Sequence, residues 1–89
     1  MSTRPNVYAA IDSEREYQDK KWGGARSSGT AGNGERTLDE FSSYIYGYAT
    51  DLQYLASHEL DPVKKLDFVR KVAGLCVACM EQHGAPPRV

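Results

Sequence analysis

The sequence has little that would connect the protein to membranes or to nucleic-acid polymers. None of its apolar runs approaches the roughly 20 residues that cross a bilayer, and its first five residues lack the apolar stretch of a secretory signal. Lys and Arg together number 11 and Asp and Glu 12, so the formal net charge is -1. A chain without a basic excess has no field that attracts DNA, RNA or anionic lipid. We therefore expect a cytoplasmic protein that contacts no membrane and no nucleic-acid polymer.

Cysteine and histidine are also scarce, which argues against disulfides and metal sites. Cys76 and Cys79 lie three residues apart within a helical pattern, where a disulfide is geometrically unfavourable. A structural zinc site needs four ligands, and His58 and His83 are the only histidines. We expect both cysteines to be small, buried core residues, and we expect neither a metal nor a cofactor.

No pattern for nucleophilic or metal-assisted catalysis stands out either. The helical nucleotide pyrophosphohydrolases hold magnesium with several converging carboxylates. Here only Asp12 with Glu16 or Asp19 shares a helix face, and the simpler interpretation is a solvated surface with ion pairs to Arg15 and Lys20. We therefore expect a protein that is not an enzyme. A small helical phosphodiesterase or pyrophosphohydrolase remains the alternative.

The patterns that are present predict an all-α fold, in a single domain spanning residues 1–89. Pro5 and Asn6 are start signals for a first, short helix that continues to Trp22 with a thin apolar stripe. The following segment, 23–36, is rich in glycine and serine and has no periodicity, so it is predicted to be a loop.

Two longer helices follow, and their spacing predicts an antiparallel hairpin. The segment Thr37-Leu38-Asp39-Glu40 has the pattern of a capping box, and large apolar residues then recur at three- and four-residue intervals. Asp61 and Pro62 mark the next helix start, which leaves a short connection around 57–60. Gly84 is predicted to end the last helix.

The last helix carries more apolar surface than one neighbour can cover. Val63, Leu66, Val69, Ala73, Cys76, Val77 and Met80 form one stripe, and Phe68, Val72, Leu75 and Cys79 form another. One partner helix covers only one such face, so the other face meets either the first helix or another subunit. An 89-residue chain also buries only a modest core of its own. We therefore expect a homo-oligomer.

Aromatic residues beside cations indicate a nucleotide-binding surface. Six of the nine aromatic residues are Tyr. Three of the nine lie near Arg or Lys in sequence: Tyr8 near Arg4, Tyr17 near Lys20 and Lys21, and Trp22 near Arg26. Flat rings stack on bases, while Arg and Lys form charge-assisted hydrogen bonds with phosphate. Arg70 and Lys71 interrupt the densest apolar run. An arginine in that setting is usually in an ion pair, but copies of Arg70 around a symmetry axis would form a cationic ring.

Three segments resemble one known family. They are Ala-Ile-Asp-Ser-Glu-Arg-Glu-Tyr-Gln-Asp-Lys-Lys-Trp-Gly at 10–23, the Glu-Phe-x-x-Tyr-Ile start of the second long pattern, and the stretch 70–86, which closes with Met-Glu-Gln-His-Gly-Ala-Pro. They look like the hairpin domain of the phage anti-CBASS and anti-Thoeris sponge proteins. The resemblance implies a hexamer that sequesters cyclic oligonucleotide immune messengers without cleaving them, in the cytoplasm of an infected bacterial host.

The resemblance also implies where ligands bind. By position, Tyr8 corresponds to the family's stacking tyrosine, Arg26 with Ser28 to the basic loop position, and Arg70 to the arginine of a cyclic trinucleotide pocket. Lys21 is the other cation that we expect to contact phosphate. The remaining alternative is a structural phage protein whose apolar faces only build an assembly.

Overall fold

A computed structural model describes residues 2–21 and 36–88, and within these ranges it contains α-helices and no strands. The helices are α1 (Arg4–Lys21), α2 (Leu38–His58) and α3 (Pro62–His83). The all-α prediction is confirmed. None of these three helices combines the length and the apolar character needed to cross a membrane.

Helix α2 begins at the predicted capping box. The Thr37 hydroxyl accepts a hydrogen bond from the Glu40 amide at 3.1 Å, and the Glu40 carboxylate accepts one from the Thr37 amide at 2.8 Å. The hydrogen bond that the Glu40 carboxylate accepts from the Thr37 backbone is the main cause that lowers the pKa of Glu40, and the Thr37 side chain lowers it further. Two of the backbone donors that a helix start leaves unpaired are thus satisfied locally.

The connection and the ends of α3 also follow from local chemistry. Helix α2 continues to His58, so the connection is 59–61, slightly later than predicted. The Asp61 carboxylate caps α3 by accepting a hydrogen bond from the Val63 amide at 2.9 Å, and Pro62 occupies the first turn. Gly84 ends α3 with a φ of 114°, in the region that favours glycine.

Helix α3 is central, because both α1 and α2 pack against it. Within the described residues, three buried apolar side chains form the core: Phe41, Leu75 and Ala78. Two ring contacts link α2 with α3. Phe41 meets His83 edge to face at 5.9 Å between centroids, and Tyr48 meets Phe68 at 5.7 Å. The stripe of α3 that includes Phe68 and Leu75 therefore faces α2.

Helix α1 packs through polar residues, and its apolar stripe is not the face that it buries. Only 5% of Glu14, 6% of Arg15 and 4% of Gln18 is exposed, whereas the apolar-stripe residues Val7 and Tyr8 are exposed. A buried polar face is favourable only if its groups find partners. Every buried side-chain nitrogen and oxygen in the described part of the chain has one.

A glycine of α3 makes the close approach of α1 possible. A Cβ atom built on Gly74 would lie 2.7 Å from Gln18 Nε2 and 2.9 Å from Glu14 Cγ. Both distances are shorter than a side chain tolerates without displacing its neighbours. The absence of a side chain at Gly74 therefore sets how closely α1 lies against α3.

The first apolar stripe of α3 is covered by neither neighbouring helix along much of its length. Val63, Leu66, Val69 and Met80 are all exposed. The sequence left open whether this stripe meets the first helix or another subunit. Helix α1 lies instead against a third face of α3, the one that carries Gly74.

The close contact at Gly74 predicts that Gly74→Ala destabilises the fold. Alanine in a helix is favoured over glycine by about 1 kcal/mol. At Gly74 the added methyl group must displace Glu14 and Gln18, and overpacking of this kind costs about 1–3 kcal/mol. Urea denaturation followed by circular dichroism measures the net change in the free energy of unfolding.

Gly47, an exposed residue within α2, provides the matched control. A Cβ atom at Gly47 meets nothing within 4 Å, so Gly47→Ala should gain the helix preference and stabilise the protein. We expect Gly74→Ala to be less stable than Gly47→Ala by about 1–3 kcal/mol. Equal stabilisation by the two substitutions would contradict the tight contact.

Candidate ligand-binding site

Arg15 is the centre of the polar contact that holds α1 on α3. Its guanidinium donates two hydrogen bonds to the Glu81 carboxylate, from Nη2 at 2.6 Å and from Nε at 3.1 Å. It also donates to Asp19 at 2.9 Å and to the Gln18 side-chain oxygen at 3.1 Å. The hydrogen bond to Glu81 is the main reason that the pKa of Arg15 is raised. A two-pronged pair of this kind fixes direction as well as distance.

A second ion pair lies further along the same contact and involves the predicted site residue Arg70. Arg70 Nε donates to Glu14 Oε1 at 2.9 Å, and Arg70 Nη1 donates to Asp67 Oδ1 at 2.7 Å. Both hydrogen bonds raise the pKa of Arg70, that to Glu14 most strongly. Because 36% of the Arg70 side chain is still exposed, it also remains accessible to solvent and to other groups.

Two of the four acidic residues of α1 take part in the ion pairs of this contact. Asp19 pairs with Arg15, and Glu14 pairs with Arg70. Over residues 2–21 and 36–88, no group of three or more His, Cys, Asp or Glu residues is arranged to hold a metal ion. The expected ion pairing of Arg15 with acidic residues of α1 is found in the pair with Asp19, but the expected solvated surface is wrong at Arg15 and Glu14, which are both buried against α3.

Two adjoining pockets form a groove between α1 and α3. The larger, of about 450 Å³, has a lining that includes Ser13, Glu14, Tyr17, Arg70 and Lys71. The smaller, of about 70 Å³, shares three of these residues and is lined by residues of all three helices. We call the two together the α1–α3 groove. Its larger part has the volume that is typical of small-molecule sites, about 300–1,000 Å³.

Two cations line the groove without a carboxylate partner among the described residues. Lys21 and Lys71 both line it, and neither forms an ion pair within the part of the chain that the structure describes. Their ammonium groups lie near aromatic rings, Lys21 at 6.0 Å from the Tyr17 centroid and Lys71 at 5.7 Å from that of Phe68. The carboxylates of the groove, in contrast, are both hydrogen-bonded to Arg70. This charge distribution favours a small anion.

The groove unites two of the five predicted ligand-binding residues. Lys21 lies at its smaller end and Arg70 in its larger part. Tyr8 lines neither pocket, although it is exposed and available as a stacking surface. Arg26 and Ser28 lie outside the described residues, as does nearly all of the predicted loop 23–36.

Tyr17 and Lys71 line both pockets but are not among the five predicted ligand-binding residues, although Tyr17 was noted beside Lys20 and Lys21 in the sequence. One signal was present, since Tyr17 and Lys21 are four residues apart and therefore share a face of α1. Lys71 gave no such signal. Its proximity to Tyr17 depends on the tertiary contact at Gly74, which local patterns do not encode.

The two cysteines lie on α3 away from the groove lining. Both are free thiols, and both are half-buried rather than fully buried as expected. Burial, followed by the nearby Cys79, raises the pKa of Cys76. A raised pKa disfavours the thiolate, which is the reactive and metal-binding form. The structure therefore gives Cys76 no sign of a chemical role.

The Arg15 network predicts that Arg15→Ala loosens α1 selectively. Hydrogen bonds to charged groups contribute about 1.5–3 kcal/mol, and the partial exposure of Glu81 favours the lower part of that range, so we expect a loss of about 2 kcal/mol. Amide hydrogen exchange should accelerate in α1 much more than in α2 or α3. Lys20→Ala, on the exposed side of α1, is the control. Unchanged protection of α1 in Arg15→Ala would contradict this role.

Comparisons with known proteins identify no relative. No protein-family model matches the chain, and no curated protein or solved structure was found to be similar to it. The family resemblance therefore rests on the sequence motifs alone. The function has to follow from the geometry and charge of the α1–α3 groove and from the exposed face of α3.

Proposed function

We propose that this protein sequesters cyclic oligonucleotide immune messengers, and that it does so without cleaving them. The observation that carries the proposal is the α1–α3 groove, where Lys21 and Lys71 have no carboxylate partner among residues 2–21 and 36–88 and lie near aromatic rings. A cyclic dinucleotide presents complementary chemistry, because it combines flat bases with phosphate anions. Cyclic trinucleotides share this chemistry. The setting would be the cytoplasm of a phage-infected bacterium.

Such contacts suffice for the affinity that a sequestering protein needs. Stacking on an aromatic side chain contributes about 1–3 kcal/mol per base. Charge-assisted hydrogen bonds to phosphate add to this. Two bases and two phosphates can therefore reach nanomolar affinity, which corresponds to roughly -12 kcal/mol. The expected contacts are Tyr8, Lys21 and Arg70, together with Arg26 and Ser28.

The acidic residues support binding rather than hydrolysis. A phosphodiesterase of the helical class needs several carboxylates free to bind divalent cations. Here Glu14 and Asp67 are hydrogen-bonded to Arg70, and Asp19 is paired with Arg15. Of these pairs, the one between Glu14 and Arg70 joins α1 to α3, so releasing Glu14 for a metal would weaken the contact between the two helices.

Assembly is part of the same proposal. We propose that α2 and α3 form the arms of an antiparallel hairpin and that six chains associate through the exposed stripe of α3. Val63, Leu66, Val69 and Met80 supply the apolar surface for that association. Arg70 lies on the same helix and is partly exposed, so an assembly around a symmetry axis would bring its copies together.

Recovery of intact ligand separates sequestration from hydrolysis. The protein is incubated with a cyclic dinucleotide, denatured by heat, and the released nucleotide is analysed by chromatography. We expect the ligand to be bound, to raise the melting temperature and to be recovered whole. Linear products would indicate the phosphodiesterase alternative. Absence of binding across a panel of cyclic nucleotides would favour a purely structural protein.

Tyr8→Ala extends this test to a single residue. We expect the variant to lose tight cyclic-dinucleotide binding in calorimetry while its oligomer stays intact, because the exposed Tyr8 ring stacks on a base. Undiminished affinity would remove Tyr8 from the site.

A charge placed on the exposed stripe of α3 should break the assembly. Leu66 is 65% exposed in the single chain, so Leu66→Lys leaves the fold intact but opposes burial between chains. We expect sedimentation velocity to show smaller species for this variant. Leu60→Lys is the control, since Leu60 is 94% exposed and lies in the connection before α3. Wild-type chains that sediment as monomers would refute the oligomer.

A further inference from the structure

We propose that the α1–α3 groove of each protomer is a half-site for one nucleotide unit, with Tyr17 stacking on the base and Lys71 binding the phosphate. The inference rests on the proposed function, which it deepens by naming two residues and the part of the ligand that they hold. Neither residue is among the five predicted ligand-binding residues. Both line the two pockets of the groove.

Tyr17 is positioned to present its ring to a ligand. It belongs to α1, yet 57% of it is exposed, because the buried face of this helix is formed by Glu14, Arg15 and Gln18. The network of Arg15 fixes the rotation of α1 and therefore the side of the groove on which Tyr17 lies. An exposed ring held at the edge of a groove is a platform for any base, since every base has a π face.

Lys71 is the better phosphate ligand of the two adjacent cations on α3. Arg70 already donates to two carboxylates, at 2.9 and 2.7 Å. Lys71 has no carboxylate partner in the described ranges, and its ammonium lies 5.7 Å from the Phe68 centroid. A phosphate that meets Lys71 displaces no ion pair, whereas at Arg70 it competes with Glu14 and Asp67.

The chemistry of the groove points to a nucleotide unit rather than to a simpler ligand. Inorganic phosphate would use Lys71 and Lys21 but leave the Tyr17 ring without a partner. An uncharged aromatic molecule would leave both ammonium groups unused. A base with its phosphate uses the ring and the cations together, and the larger pocket, at about 450 Å³, has room for one such unit.

A cyclic dinucleotide needs a second stacking surface, and Tyr8 is suited to supply it. Tyr8 and Tyr17 are nine residues apart, about two and a half helical turns, so they project from opposite sides of α1. One chain therefore cannot bring both rings to one compact ligand. Tyr8 of a neighbouring chain would have to complete the site.

Substitutions at the two residues test the half-site by calorimetry. Tyr17→Ala and Lys71→Gln should each weaken cyclic-dinucleotide affinity by about tenfold, the order expected for losing one stacking or phosphate contact. Tyr17→Phe keeps the ring and Lys71→Arg keeps the charge, so each should recover most of the affinity. Tyr46→Ala and Lys64→Ala are matched controls, because both residues are exposed and line neither pocket.

As a control, circular dichroism and sedimentation velocity check that each variant keeps its fold and its assembly. A separate titration with adenosine monophosphate probes the half-site without requiring a second protomer. Weakening by both Tyr17→Ala and Lys71→Gln, with the conservative variants and controls near wild type, supports the half-site.

Two other results distinguish failure of the half-site from failure of the proposed function. If Tyr17→Ala and Lys71→Gln bind cyclic dinucleotide as wild type does while Tyr8→Ala does not, the half-site is wrong and the function stands. If wild-type protein binds no cyclic nucleotide, the proposed function is wrong. The titration with adenosine monophosphate then tests the half-site on its own. Binding that both variants weaken supports the half-site, and absence of such binding refutes it.

Discussion

The contact between Arg15 and Glu81 is the constraint on which the candidate site depends. Apolar packing is non-directional and would leave the rotation of α1 about its axis weakly determined. Two hydrogen bonds from one guanidinium to one carboxylate fix that rotation, and Gly74 lets the helix approach closely enough to form them. Tyr17 and Lys21 are brought to the groove as a consequence. The surface that could bind a ligand is thus set by a contact that contains little hydrophobic burial.

Local chemistry made the helices predictable, whereas their arrangement was less so. Thr37 with Glu40, Asp61 with Pro62, and Gly84 each satisfy backbone groups within a few residues, so the sequence alone indicates where helices begin and end. The buried face of α1 was not predictable in the same way, because Glu14, Arg15 and Gln18 are polar and apolar periodicity points elsewhere. Such a face becomes favourable only when partners on α3 are already in place.

The residues of the candidate site likewise fall into two groups, those that the sequence identifies and those that only the tertiary structure identifies. Lys21 and Arg70 were identified from residue type and from the family resemblance, and both border the groove. Lys71 needed the tertiary structure, since nothing near it in sequence distinguishes it from Arg70. The structure separates these two cations by their partners. Exposed apolar surface on α3 was foreseen because a helix with two apolar stripes exceeds what one neighbour covers.

Arg70 belongs to the packing of α1 as much as to any ligand site. Its bonds to Glu14 and Asp67 hold carboxylates that would otherwise repel an anion, so it favours anion binding even where it touches no phosphate. Replacing it would both loosen α1 and expose two negative charges to the groove. Loss of binding on removal of Arg70 is therefore compatible with a direct contact and with an indirect one. Lys71, which has no carboxylate partner among the described residues, is the cation whose removal reports on phosphate contact with less ambiguity.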